Sequence, residues 1–156
     1  MRLQPYKRIW LHICFCLASA VWGLLGCAKN LNADQVCLKN VCYSVEIAMT
    51  QEEQSKGLMF REFMPSDHGM LFVFPVQRPY SFWMKNTLIP LDMIWLDNSR
   101  RIVHMEKAVP CTADPCRHYL PSEDALYVLE LNAGETDKKA MKIGDQWVFK
   151  LDLKDL

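Results

Sequence analysis

Residues 91–105 read LDMIWLDNSRRIVHM, in which two apolar segments flank a short polar one. The apolar segments 91–96 and 102–105 are rich in the β-branched and aromatic residues that strands favour. Asp97, Asn98 and Ser99 lie between them, and all three are turn-forming residues. This stretch therefore predicts a β-hairpin.

Outward from the hairpin, the chain alternates short strands with two short helices. Thr50 followed by Glu53 is a capping box, which predicts a helix over 51–57. A second helix is predicted over 135–142, ended by Gly144. Alternation or short apolar runs predict further strands at 41–47, 71–74, 80–84, 127–131 and 147–153. The pattern predicts an α+β domain with a mainly antiparallel, strongly curved sheet or a partly closed β-barrel.

The N-terminal residues have the layout of a secretory signal. Three basic residues precede an apolar run over 9–25, which ends in Leu24-Leu25-Gly26-Cys27. This end resembles the bacterial lipobox, in which the chain is cut before an acylated cysteine. We expect a signal peptide at 1–26, a lipidated tether at 27–35 and one globular domain at 36–156. An uncleaved transmembrane anchor and ordinary secretion are the alternatives.

The same resemblance predicts where the protein is found and what it contacts. Ala28 follows Cys27, and the absence of Asp there favours the outer membrane, with the domain facing the periplasm.

The whole chain has 18 basic and 18 acidic residues, but without Arg2, Lys7 and Arg8 it has 15 basic residues against 18 acidic residues. Such an acidic domain is a poor binder of nucleic acid. We expect a monomer that contacts the membrane through the lipid on Cys27 and binds an unknown small ligand or envelope protein.

Four cysteines remain after the signal and the acylation site, and an even number favours disulfides in an oxidising compartment. The local pairing joins Cys37 to Cys42 and Cys111 to Cys116. Both pairs have the spacing C-x4-C, whereas a redox-active dithiol is typically C-x-x-C. We expect structural bonds, with segment 107–122 as a disulfide-clipped surface loop.

Several longer stretches resemble a known family. They read GLMFRE at 57–62, DHGMLFVFP at 67–75, SFWMKNTLIPLD at 81–92 and YVLELNAG at 127–134. These stretches closely resemble the bacterial and archaeal family called domain of unknown function 192, over about residues 41–153. The resemblance implies a small, mainly β domain, often exported, without an established reaction, substrate or cofactor. Departures are Gln51, where many relatives have Pro, and Trp95, where Phe is more usual.

The stretch 82–92 also predicts a ligand site, because polar residues interrupt an apolar background there. Lys85, Asn86, Thr87 and Asp92 are expected at one end of the sheet beside Trp83. A mostly apolar pocket with a few convergent polar groups is the usual form of such a site. The ligand would be a small molecule, a glycan or peptide segment, or a protein partner, with Arg61 and Glu130 as further candidate contacts.

The alternative interpretation of this cluster is structural. Asn86 and Thr87 would satisfy a turn, and Asp92 would pair with Arg61 or Lys85. A non-catalytic binding module is the function that we expect. The catalytic alternative is an envelope hydrolase that uses the two carboxylates of Glu130 and Asp92.

Neither a metal nor a cofactor is predicted. His68, His104 and His118 are too far apart in sequence to form a zinc motif. Thioethers suit Cu(I), so copper binding is a minor alternative. However, methionine in an apolar run is commonly a core residue, which is the expectation for Met59, Met70, Met84 and Met93.

Overall fold

The computed structural model describes residues 34–151 of the chain. The predicted signal peptide and the acylation site at Cys27 lie outside the described residues. Nine strands and two helices are described in this part, in the order β1 Gln35–Leu38, β2 Val41–Ala48, α1 Gln51–Lys56, β3 His68–Arg78, β4 Phe82–Trp83, β5 Leu91–Leu96, β6 Ile102–Ala108, β7 His118–Tyr119, β8 Ala125–Asn132, α2 Glu135–Lys138 and β9 Val148–Lys150.

Seven of these strands form one sheet in the order β6-β5-β8-β3-β2-β1-β9, and β4 pairs with β7 in a separate ribbon. All neighbours in the large sheet are antiparallel except β2 and β3, which are parallel. The parallel pair is possible because α1 and the loop after it carry the chain back across the sheet. The fold is a strand-rich, curled half-barrel with two short helices, so the predicted α+β class fits only loosely.

The predicted hairpin is confirmed as β5 and β6. Its strands pair from Leu91 with Ala108 to Leu96 with Ile102. The Asp97 carbonyl accepts a hydrogen bond from the amide of Arg100 at 2.9 Å, and its side chain accepts one from the amide of Arg101 at 2.9 Å. Asp97 therefore fixes the turn, as its turn-forming chemistry predicts.

The first helix is also confirmed, whereas the second is shorter than predicted. Thr50 and Glu53 form a reciprocal capping box at the start of α1. The prediction of a helix over 135–142 is wrong beyond Lys138. Ala140 has a φ of 48°, and this left-handed backbone cannot continue a right-handed helix.

Several strands differ in length from their predictions, and those predicted at 102–105 and 127–131 extend over Ile102–Ala108 and Ala125–Asn132. The strand predicted at 71–74 extends over His68–Arg78, whereas those predicted at 80–84 and 147–153 cover only Phe82–Trp83 and Val148–Lys150. Strand β7 lies inside the segment predicted as a loop at 107–122. Two-residue strands have no periodicity to detect, because they depend on a partner rather than on their own sequence.

Both disulfide bonds join the local pairs. Cys37 and Cys42 face each other across β1 and β2, with their Cα atoms 4.0 Å apart. Cys111 and Cys116 close a short loop ahead of β7, with their Cα atoms 5.6 Å apart.

Both faces of the central strands are buried. All six residues of β5 are buried, and alternate residues of the strand join different apolar clusters. We call the side of Met70, Met93 and Val128 the methionine face, because Met64 and Met84 also pack in its cluster. The other side, which carries Leu71, Ile94 and Leu129, is the opposite face.

Candidate functional site

Glu130 lies in the middle of the methionine face. It is on β8, where it pairs with Met70 of β3 on one side and with Met93 of β5 on the other. Directly paired residues in a sheet point to the same face. The carboxyl group of Glu130 is therefore placed between two methionine side chains.

Glu130 is a buried residue, and its carboxyl group has no partner in the described part of the chain. Glu130 is only 4% exposed, and within residues 34–151 no hydrogen-bond donor or cation contacts its side chain. Burial in this apolar environment raises the pKa of Glu130 to about 8. The group is therefore mostly protonated at neutral pH.

A row of five paired residues crosses the methionine face at this level. From β2 to β6, it reads Glu46, Met70, Glu130, Met93 and Glu106. The two outer carboxylates have partners, whereas the central one has none among the described residues.

Arginine compensates each outer carboxylate. Arg61 binds Glu46 through both of its terminal nitrogens, at 2.5 and 2.9 Å, and this hydrogen bonding lowers the pKa of Glu46. Arg117 lies 3.4 Å from Glu106. The predicted ligand contact Arg61 is thus engaged by a partner at the edge of the row.

Asp92 is on the other side of the sheet. It pairs with Leu131, one position away from the pair of Met93 and Glu130, and a shift of one residue reverses the face. Asp92 and Glu130 therefore do not share a cleft. The two-carboxylate arrangement that we considered for a hydrolase is not formed.

A buried hydrogen-bond network holds Asp92 to helix α2. Its Oδ2 accepts hydrogen bonds from the amide and the hydroxyl of Thr136, each at 2.7 Å. Within residues 34–151, its Oδ1 is buried and has no hydrogen-bond partner. The predicted pairing of Asp92 with Arg61 or Lys85 is wrong, although the structural role assigned to Asp92 fits these contacts.

Tyr43 and Glu135 bury a second polar contact beside Thr136. The Tyr43 hydroxyl donates to Glu135 at 2.6 Å, and burial raises the pKa of Tyr43. These three residues were not predicted from the sequence. The position of Glu135 and Thr136 at the start of a helix was the one local signal for them.

Residues 83–87 form a turn at the surface. Trp83 is 44% exposed, and the Lys85 ammonium lies 5.6 Å from its ring centroid and 3.5 Å from Asp114. Asn86 has a left-handed φ of 57°, and the amide of Thr87 donates to the carbonyl of Met84 at 3.2 Å. These contacts match the structural interpretation of Asn86 and Thr87.

Two loops, residues 57–67 and residues 84–90, pack against the methionine face. Leu58 and Met64 come from the first loop, and Met84 lies at the start of the second. The loops are joined where the amide of Phe60 donates to the carbonyl of Asn86 at 2.7 Å. Apolar side chains are exposed on both loops, at Phe60, Phe63 and Leu88.

Asn132 ties the first loop to the strand that carries Glu130. Its side-chain amide donates to the carbonyls of Met64 at 3.1 Å and Pro65 at 3.0 Å. Asn132 is two residues from Glu130 and therefore on the same face. The first loop is thus held against the methionine face at Asn132, two residues along β8 from Glu130.

Within the described residues, one group of His, Cys, Asp or Glu side chains lies close enough together to hold a metal ion. It consists of Cys111, Asp114 and Cys116, but the two sulfur atoms form a disulfide bond.

In the part of the chain that the structure describes, no helix has the length and apolar composition needed to span a membrane.

Comparison with known proteins relates the chain to a family. The family model described as DUF192, an uncharacterized ACR, matches residues 34–149. A protein of unknown function from Novosphingobium aromaticivorans DSM 12444 has a solved structure with a TM-score of 0.67 and 32% identity, covering 74% of this chain and 83% of that one. A structure from Sinorhizobium meliloti 1021 has the same TM-score and 36% identity, covering 76% of this chain and 95% of that one. Its name assigns that protein, in provisional terms, to transcription regulation.

Curated relatives include UPF0127 proteins from Thermococcus species. The protein from Thermococcus gammatolerans is 36% identical over 88 residues, which is 55% of this chain and 53% of the relative. The chain spans between half and two thirds of the length of the curated relatives that it matches. These archaeal proteins are not outer-membrane proteins that face the periplasm, so the predicted outer-membrane location is wrong.

Proposed function

We propose that this chain, which belongs to the DUF192 family, is a non-catalytic binding module. Its small ligand contacts the carboxyl group of Glu130. One observation carries this proposal. Glu130 is buried between Met70 and Met93, without a hydrogen-bond or ionic partner in the described part of the chain.

An unpaired buried carboxyl group destabilises a fold, whether it loses its hydration as an ion or stays protonated without a hydrogen bond. A ligand that bonds to Glu130 would recover part of this lost interaction energy. Apolar walls with a few polar groups are also the usual form of a small-ligand site. The two loops over the face favour a ligand small enough to be enclosed rather than a protein surface.

The arrangement of carboxyl groups supports binding rather than hydrolysis. Glycoside hydrolysis needs two carboxyl groups in one cleft, about 5–9.5 Å apart. Asp92 lies on the opposite face, and it is bonded to Thr136. Glu46 and Glu106 share the face of Glu130, but each is paired with an arginine.

Native mass spectrometry of the full chain, purified gently from its own cells, tests this function. Wild-type protein should retain a molecule that Glu130→Gln loses and the matched variant Glu106→Gln keeps. The matched variant changes a carboxyl group in the same row that already has a partner. The proposal fails if wild type carries no ligand, or if Glu130→Gln carries the same one.

We also propose that Cys27 is acylated, on the strength of the sequence pattern that ends there. This part of the proposal includes no outer-membrane location. The intact mass of the mature chain should exceed the mass of residues 27–156 by the attached acyl groups, and Cys27→Ser should remove the excess. An unmodified Cys27 in the mature wild-type chain would contradict it.

A further inference from the structure

The row across the methionine face has a chemistry more specific than a general small-ligand site. We propose that Met70, Glu130 and Met93 bind one soft monovalent metal cation of the class of Cu(I), with two thioether sulfurs and one carboxylate as ligands. This inference rests on the proposed function, since it names the ligand class of the same site.

The register allows the three side chains to converge. Met70 and Met93 are the direct partners of Glu130 on the two neighbouring strands. Directly opposed residues have Cβ atoms about 4.5–5.5 Å apart. Methionine is unbranched, with three rotatable bonds, so both sulfur atoms can turn toward the carboxyl group between them.

The charge of the site favours a monovalent ion. Glu130 can supply one negative charge, and the thioethers are neutral. One monovalent cation makes the buried complex neutral, whereas a divalent cation would leave one uncompensated positive charge in an apolar environment. The outer carboxylates are already committed to Arg61 and Arg117.

The donor atoms favour a soft ion. Thioether ligands select Cu(I) among the common biological metals, whereas oxygen ligands alone suit magnesium, calcium or manganese. Met64 and Met84 belong to the same buried cluster and provide two further thioethers on the loops that cover the face. Asn132 holds Met64 in that position through the carbonyl of its loop.

Silver(I) is a suitable probe because it has the same charge and softness as Cu(I) and is stable in air. The full chain is used with Cys14, Cys16 and Cys27 changed to Ser, so that free thiols do not bind the metal. Methionine labelled with carbon-13 at its methyl group reports on each thioether by NMR. We expect one silver ion per chain and shifts of the methyl signals of Met70 and Met93.

Matched variants assign the effect to the site. Met70→Leu and Met93→Leu keep the side-chain volume, a change that cores tolerate, and each should weaken silver binding about tenfold or more. Met141→Leu, on the opposite face, should leave the affinity unchanged. Glu130→Gln removes the proposed carboxylate ligand and should also weaken silver binding. The unperturbed methyl signals of the other methionines show that each variant remains folded.

Two results would overturn the metal proposal. One is silver binding that is unaffected in the Met70→Leu, Met93→Leu double variant, and the other is no shift at either methyl group. If either result occurs while native mass spectrometry finds an organic molecule that depends on Glu130, the binding module stands without the metal. If neither metal nor organic ligand depends on Glu130, both proposals fail.

Discussion

At the scale of single residues, folding largely buries the carboxyl group of Glu130 without giving it a partner among residues 34–151. Its pKa is about 8 in the folded state, against an ordinary value of 4.5. Between these two pH values the folded chain binds more protons than the unfolded chain. The free energy of unfolding should therefore fall as pH rises from about 4.5 to about 8.

Replacing Glu130 by Gln should remove this pH dependence. At pH 4 the variant and wild type should have similar stability, because Glu130 is then mostly protonated in both the folded and the unfolded chain. At pH 9 the variant should be more stable, by on the order of 4 kcal/mol. Urea unfolding at both pH values measures the difference. Glu106→Gln serves as the control, and an equal effect of Glu130→Gln at both pH values would contradict the assignment.

Truncation to Ala should destabilise the fold much more at Asp92 than at Lys85. Asp92→Ala leaves the buried amide and hydroxyl of Thr136 without their acceptor, which should reduce the free energy of unfolding by roughly 2–3 kcal/mol. Lys85→Ala removes an exposed ion pair with Asp114 and should change it by less than about 1 kcal/mol. Thermal or urea unfolding of the two variants side by side is the measurement. A large loss for Lys85→Ala with none for Asp92→Ala would reverse both assignments.

At the scale of secondary-structure elements, the helix starts and turns that neighbouring residues form can be predicted from the sequence. The capping box of Thr50 and Glu53 and the turn at Asp97 are visible because the residues that form them are neighbours in the chain. The face of each residue in β5 is not visible, because all six of its residues are buried and no polar side exists to set the register. This is why the separation of Asp92 from Glu130 could not be predicted.

Gly69 allows strands β3 and β8 to approach closely. A Cβ atom at this position would lie 2.6 Å from the carbonyl oxygen of Glu130 and 2.7 Å from Cδ2 of Leu131. The backbone oxygen cannot move aside without breaking the strand pairing. Gly69→Ala should therefore lower the free energy of unfolding by about 1–3 kcal/mol. An unchanged urea midpoint in this variant would show that the pairing is looser than described.

At the scale of the whole molecule, the strand-rich, curved sheet with two short helices was predictable, whereas the strand order was not. The parallel pairing of β2 with β3 depends on a crossover of about 20 residues, and β7 exists only through its pairing with β4. The resemblance carried by segments such as 81–92 identified the family correctly. The outer-membrane location did not hold, because it rested on one short N-terminal pattern and not on the domain itself.

The central claim is that the carboxyl group of Glu130 lies on an apolar face without a hydrogen-bond or ionic partner among residues 34–151, so that a ligand can bind it. Its titration by carbon-13 NMR, observed at the side-chain carboxyl carbon with Glu130→Gln for assignment, tests this claim most directly. The predicted result is a pKa of about 8 in the ligand-free protein. A pKa near the ordinary value of 4.5 would mean that the carboxyl group is solvated or already paired, and would contradict the claim.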